Sequence, residues 1–212
     1  MTRPLVIVGA GGFGRETAAL VEAINRPEPV WNLLGFVDDN PALAGQSRLG
    51  YPILGDVDWL LRQRDLHYVL AIGCSPVRRH LAERLANTPL AAARLVHPEA
   101  SVHPSSSPGA GTIVCRGVTV TVDVRIGSHV ILNLHCTVGH DVVLADFTTA
   151  HPGVHISGNA RTGEAVELGT GSVLLPGVRV GASTRIGAGA VVVRDLPEGV
   201  TAVGVPARPI SQ

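Results

Sequence analysis

A chain of 212 residues with 45% hydrophobic residues has room for one large or two modest domains and can bury a core. Its 17 Lys and Arg balance 17 Asp and Glu, no basic cluster occurs, and aromatic residues make up only 3%, which argues against nucleic acid as a partner. Cys74, Cys115 and Cys136 are odd in number and lack CxxC spacing, so neither a disulfide framework nor a zinc ribbon is implied, and Cys136 is expected as a packed thiol.

The opening MTRPLVIVGAGGFG is apolar for only a few residues before a glycine turn. It reads as a first strand and not as a signal peptide or membrane span, so a cytoplasmic protein is expected. Leu5 to Val8 leads into GAGGFG, and Arg15 to Ile24 then carries helical apolar spacing. A second run, Leu33 to Val37, ends in Asp38 and Asp39, and a third, Tyr68 to Ile72, ends in Gly73. Val57 to Arg64 and Val77 to Leu85 have helical spacing, with Pro76 where a helix start tolerates it, and Arg94 to Val96 reads as a closing strand. Strands alternating with helices imply a small parallel sheet covered on both faces, a Rossmann-like α/β domain over residues 1–96.

Gly9, Gly11 and Gly14 satisfy GxGxxG, and Asp38 or Asp39 stands where a ribose-binding acid is expected. Phosphates favour such a turn because it removes side chains and aims backbone N–H groups at the ligand. Alone, the motif suggests an NAD-dependent enzyme. The sheet region, however, ends near residue 96, half of a full dinucleotide fold, and no dehydrogenase domain follows. A nucleotide carried by a sugar would use the same turn, and a tight turn with no ligand remains the bland alternative.

From Ile126 a step of six gives Leu132, Val138, Leu144, Ala150, Ile156, Thr162, Leu168, Leu174, Val180, Ile186 and Val192, and backwards it gives Val120, Val114, Pro108 and Val102. A period of six fits neither a helix nor a long strand. It fits a parallel β-helix over residues 97–212, three hexads per triangular coil, with one aliphatic residue per hexad in the core. Glycine often follows the aliphatic residue, as at Gly127, Gly139, Gly163 and Gly169, which is expected to serve a turn with an unusual backbone angle. A small residue at the fourth place, such as Val130 or Cys136, is expected to let the wall close.

GAGGFGRE and FVDD in the first part, AIG and LVHPEA at the junction, and NLHCTVGHD, IGAGAVVVRDLPEG and VGVPAR in the second resemble one family over nearly the whole chain. It is the hexapeptide-repeat sugar O- and N-acetyltransferases of the sialic acid O-acetyltransferase type, including the bacterial UDP-4-amino-sugar N-acetyltransferases. The resemblance implies a left-handed coil, acetyl-CoA as acyl donor with no metal, and a cytoplasmic homotrimer without membrane or nucleic-acid partners, taking its place in surface glycan biosynthesis. It implies that His140 is the general base and that Asp141 raises its basicity. It implies that the backbone N–H of Gly158 faces the thioester carbonyl and that Thr149, Thr170 and Ala188 lie at acetyl-CoA. In the first domain Gly11, Gly12, Phe13, Gly14, Asp38, Asp39 and Gly73 would hold a nucleotide-sugar, and its amine would meet His140 of a neighbouring subunit. Many members have histidine where this chain has Phe13 and Thr149.

The chemistry makes sense of the pair, since an amine or hydroxyl attacking a thioester must lose a proton and imidazole, with a reference pKa of about 6.5, can take it near neutral pH. Transfer to an amino-sugar amine is the leading reading, with O-acetylation of sialic acid or another sugar hydroxyl as the alternative. The other histidines, His135, His151 and His155, fall at different phases of the hexad and are expected at interfaces or in solvent, with His151 near the cofactor as one reading. The basic VPAR segment suggests Arg208 at the 3′-phosphate of CoA. Two rivals come from other classes. A metal hydrolyase could use the His135/His140 spacing, but no third histidine falls in phase two coils earlier, where Glu99 stands. A non-catalytic trimeric scaffold could bind a nucleotide-sugar, but the His140/Asp141 pair argues for chemistry.

Overall fold

The computed structural model describes residues 2–210. The first domain runs β1 (Arg3–Val8), α1 (Gly12–Asn25), β2 (Trp31–Val37), β3 (Ser47–Arg48), β4 (Tyr51–Gly55), α2 (Val57–Leu61), β5 (His67–Leu70), α3 (Ser75–Leu85) and β6 (Ala91–Ala92). Its sheet order is β3-β4-β2-β1-β5-β6. All pairs are parallel except β3–β4, a hairpin closed at Leu49 and Gly50, so the sheet is mixed where an all-parallel one was expected. Both turn residues have positive φ, as a tight hairpin requires, but Leu-Gly lacks the Asn or Asp that would announce such a turn. Leu5, Ile7, Phe36 and Val69 pack beneath α1 on one face, and Val6, Val8, Tyr68 and Leu70 pack beneath α2 and α3 on the other.

The second part is a left-handed parallel β-helix with three walls. Strands on each wall pair in parallel with those one coil away, as in Ile113↔Ile131, Thr119↔Thr137 and Arg125↔Val143. The first wall includes Leu95–Val96, Ile113–Val114, Ile131–Leu132, Thr149–Ala150, Glu167–Leu168 and Arg185–Ile186; the second carries Thr137–Val138 and His155–Ile156, and the third Val143–Leu144 and Arg161–Thr162. Leu95–Val96 pairs with Ile113–Val114, so the strand expected to close the first sheet is a rung of the coil. Two residues per hexad face inward, not one. Val130, Cys136, Val142, Val154 and Val166 are as buried as Leu132, Val138 and Leu144, and the small fourth residue is half of the core. Cys136 is indeed a packed thiol, and burial pushes it up to about 11.

The glycine after each aliphatic residue serves a different purpose from the one expected. Positive φ occurs two residues later, at His129, His135, Asp141, Phe147, Gly153, Asn159, Ala165, Gly171, Gly177 and Ser183. Gly139, Gly163 and Gly169 have no such angle; a Cβ there would lie 2.7 Å from Gly158 N, 2.5 Å from Ala182 N and 2.6 Å from Ala188 N, all backbone of the next coil. These glycines let successive coils touch. Gly163→Ala is therefore expected to lower stability by about 1–3 kcal/mol through overpacking. Gly171→Ala, at φ +67 with open space around it and Ala165 at the preceding corner in the same conformation, is expected to cost at most about 1–2 kcal/mol. Thermal midpoints of the two variants, with Gly163→Ala the lower, check this.

The outward residues of the first wall begin apolar, with Leu95, Ile113 and Ile131 fully buried against α1 and the sheet. This wall is thus covered by the chain's own first domain. The outward positions of the other walls are mostly polar, as Thr119, Thr137 and His155 or Arg125, Arg161 and Arg179.

Arg78 of α3 joins the two parts. It is fully buried, and its Nε donates to His129 O (2.9 Å), Nη1 to Ile72 O (2.6 Å) and Gly73 O (3.1 Å), and Nη2 to Phe147 O (2.6 Å) and Thr149 Oγ1 (2.8 Å). Burial lowers its pKa to about 10, opposed by Glu167, so it stays charged at neutral pH. Glu167 Oε1 accepts from Ser75 N at 2.8 Å, a coil carboxylate at the start of α3. His129 stacks on Phe147 with parallel rings 5.3 Å apart, and burial pushes it down to about 4, so it is neutral.

Candidate active site

Two separate places carry the chemistry-bearing residues. The first is the C-terminal edge of the sheet. The chain leaves β1 for α1 on one face and leaves β5 for α3 on the other, which opens a crevice between these neighbouring strands, the place where open α/β sheets bind ligands. Gly9, at φ +101, abuts Ala71 and Ile72, and Gly14 packs so closely on Gly9 O that no Cβ fits. Gly11 and Gly12 are exposed, with open space where a Cβ would stand, and Phe13 is half-buried against the core under α1. The helix has no side-chain cap and no acid in its first turn.

Asp38 accepts from Ala10 N (2.8 Å) and Asn40 N (2.9 Å), and Asp39 accepts from Val57 N (2.8 Å). Both carboxylates therefore shape the turns around the crevice. Beside them lies a groove of about 450 Å³ lined by Pro41, Ile53, Gly55, Trp59 and Arg62, a slot with one aromatic wall. Gly73 is held by Arg78 and by Thr149 Oγ1 (3.0 Å), with the His151 ring 3.9 Å from where its Cβ would be.

The second place is the corner between the second and third walls. His140 follows Gly139 there, and its Nδ1 lies 2.9 Å from Asp141 Oδ2, with both side chains more than half exposed. Asp141, at φ +59, occupies the left-handed corner position, which turns its carboxylate back to the preceding ring. With the Nδ1 proton given to Asp141, Nε2 presents its lone pair. The ring lies over Gly158 of the next coil, where a Cβ would be 2.5 Å from Nε2 and 2.6 Å from Cε1. Asn159 N donates to His140 O (2.8 Å), fixing the backbone. A groove of about 460 Å³ lined by Asp123, Arg125, Asp141, Asn159 and Arg161 runs alongside.

The remaining expected residues divide. Thr170 and Ala188 are exposed at the corner between the first and second walls. Thr149 is 1% exposed and bonded to Arg78, Ser75 Oγ and Gly73 O, so its hydroxyl is spent inside the junction and offers no surface to a cofactor, contrary to expectation. His155 bonds Thr137 Oγ1 (2.8 Å) on the second wall. His135 and His140 stand on different corners, and no group of three metal-binding side chains occurs among the described residues. Arg208 lies on the C-terminal hairpin with its Nη1 donating to Ala207 O, and no described helix is long and apolar enough to cross a membrane. Sequence reasoning missed Arg78 and Ser75, since a polar residue on an amphipathic helix gives no sign that it will be buried by another domain, and it missed Glu167, an outward residue of the first wall that meets the start of that helix.

A left-handed β-helix of hexapeptide repeats bearing an exposed His–Asp pair, joined to a glycine-turn α/β domain, defines a sugar acyltransferase of the hexapeptide-repeat class. Residues 4–85 match the PglD N-terminal domain. The chain is 30% identical over 210 residues, 95% of its length and 94% of the relative's, to the GDP-perosamine N-acetyltransferase of Escherichia coli. It superposes on a histidine-to-asparagine variant of the perosamine N-acetyltransferase of Caulobacter crescentus, solved with CoA and GDP-perosamine (TM-score 0.89, 34% identity, 99% of this chain and 97% of that one). It superposes equally on the acetyltransferase domain of PglB from Neisseria gonorrhoeae, solved with acetyl coenzyme A (TM-score 0.91, 34% identity, 99% and 100%). The chain belongs to the PglD-like family of hexapeptide-repeat sugar acetyltransferases, and it is an acyltransferase.

Proposed function

We propose that this enzyme transfers the acetyl group of acetyl-CoA to the amine of a nucleotide-linked amino-sugar, with a GDP-linked sugar as the favoured substrate. The observation that carries the reading is the His140–Asp141 pair seated on Gly158, in one chain with the β1–β5 crevice. The guanine preference rests on the relatives named for GDP-perosamine. The first domain holds the nucleotide-sugar through Gly11, Gly12, Phe13, Gly14, Asp38, Asp39 and Gly73, and the coil, from its first rung at Leu95–Val96, carries the acyl-transfer machinery. Residue 1 and residues 211–212 lie outside the described part.

His140 Nε2 takes the proton from the attacking nitrogen, Asp141 stabilises the imidazolium, and the same proton passes to the departing thiol sulfur. The new bond is the C–N amide and the broken bond is C–S. Gly158 N–H makes no hydrogen bond within the described residues and adjoins the imidazole, which suits it to receive the developing oxyanion. Acetyl-CoA supplies the activated acyl group.

A second copy is part of the proposal. The first domain covers the first wall, and His140 lies at the opposite corner of the triangular coil, so a sugar in the β1–β5 crevice is beyond reach of its own base. Gly158 likewise lies one corner away from Thr170 and Ala188. Bringing the second–third corner of one copy to the first–second corner of another unites both sets, and a closed ring of three does so with one repeated contact. Exposed Val122 (41%), Leu175 (37%) and Val193 (41%) flank His140 along its corner, an apolar strip suited to a neighbour and a pantetheine arm.

Gly158→Ala keeps the backbone N–H but puts a methyl group against the imidazole. It is expected to lower kcat by about tenfold or more, with the acetyl-CoA KM within about twofold, because the ring must leave its seat. An unchanged kcat would refute the seating argument. The amine-versus-hydroxyl question is tested by treating the acetylated product of GDP-perosamine with hydroxylamine. An amide survives, as proposed; cleavage would reveal an ester and favour the O-acetyltransferase alternative.

A further inference from the structure

The crevice between β1 and β5 has a side that the glycine turn does not supply. On the β2 side the Asp38 carboxylate is fixed against Ala10 N, and its charge opposes a diphosphate placed there. On the β5 side no acid among the described residues accepts from the rim residues Ile72–Cys74, and the Glu167 carboxylate is bonded one residue further on, to Ser75 N at the start of α3. Instead Ile72 O and Gly73 O are tied down by Arg78, so the rim segment Ile72–Cys74 is held against the coil. At that point the coil offers His151, half-buried, with Cε1 3.9 Å from the position of a Cβ on Gly73. Its backbone is fixed by His151 N donating to Leu168 O (2.9 Å) and by Cys136 Sγ donating to His151 O (3.1 Å). Its ring makes no hydrogen bond within the described residues, whereas the rings of His140 and His155 are engaged by Asp141 and Thr137.

We propose that His151 is a further substrate-binding residue, its imidazole N–H donating to the diphosphate of the nucleotide-sugar across the crevice from the glycine turn. The proposal rests on the nucleotide-sugar reading above and deepens it by naming the coil residue that recognises the phosphates. The imidazole is presented by the rigid coil, while Arg78 sets the distance between coil and crevice. His151 thus ties acceptor binding to the docking of the two domains and leaves the acyl donor to other residues.

The test is calorimetric titration of wild type, His151→Ala and His151→Gln with GDP, GMP, UDP, TDP and CoA. The expected result is a loss of at least about tenfold in affinity for the nucleoside diphosphate that wild type prefers, a loss of less than about threefold for GMP, unchanged CoA affinity, and partial recovery in His151→Gln, which retains an N–H donor. Equal diphosphate affinity in all three proteins would overturn the role of His151 while leaving the nucleotide-sugar reading intact. A loss of CoA affinity in the variants would place His151 at the acyl donor and would also overturn it. Failure of wild type to bind any of the nucleoside diphosphates would sink both readings together.

Discussion

His140→Ala is expected to lower kcat by about 10²-fold or more with little change in acetyl-CoA affinity. A general base contributes about 10²–10⁴ in rate, and the imidazole acts on the acceptor's proton, not on the pantetheine arm. What remains in the variant is the Gly158 N–H and the positioning of the two substrates, so activity should fall without vanishing. Asp141→Asn keeps an acceptor for His140 Nδ1–H but removes the charge that stabilises imidazolium, and a smaller fall is expected. Parallel steady-state kinetics with thiol release as readout check both. Wild-type kcat in His140→Ala would mean that another group takes the proton.

Arg78→Met is expected to destabilise the protein by about 3–5 kcal/mol, the range seen when one member of a buried charged network is removed. The guanidinium donates to four backbone carbonyls and to Thr149 Oγ1, on both sides of the junction. Methionine fills similar volume but leaves those acceptors dry and unpaired, at a cost of about 1–3 kcal/mol for each that finds no water. For a chain of this length about 3–5 kcal/mol corresponds to a fall of roughly 10 °C in the thermal midpoint. The fall should bring a higher nucleotide-sugar KM and a smaller change in acetyl-CoA KM, because Ile72 and Gly73 belong to the crevice. A midpoint within 2 °C of wild type, as a rough limit set by the same scaling, would show that the network does not hold the junction.

The coil was the most legible part of the chain because its period is written in residue type. Every sixth residue must be aliphatic, and the pattern runs from Val102 to Val192 with only Pro108 and Thr162 off type. The reason for its glycines was not legible. A missing Cβ has the same letter whether it permits a left-handed φ or a close approach, and only the stacking of Gly139 on Gly158 and Gly163 on Ala182 separates the two. The strand–turn–helix of the first domain was readable from apolar runs and from Gly9, Gly11 and Gly14, but β3 and β6 are two residues each and carry no periodicity.

At the site, the letters GHD marked His140 and Asp141, and the structure adds the 2.9 Å bond between them. The burial of Thr149 was invisible for the same reason that Arg78 was missed. Both depend on how one domain lies on the other, and neither neighbour in sequence reports it.

Acetyl transfer to the amine of a nucleotide-linked sugar is read out most directly by following free-thiol release from acetyl-CoA by wild-type enzyme with GDP-perosamine, UDP- and TDP-linked amino-sugars and free sialic acid. Turnover is expected with a nucleotide-linked amino-sugar, fastest with the GDP-linked one, and none with sialic acid. Turnover with sialic acid alone, or with no acceptor in the set while acetyl-CoA still binds, would contradict it.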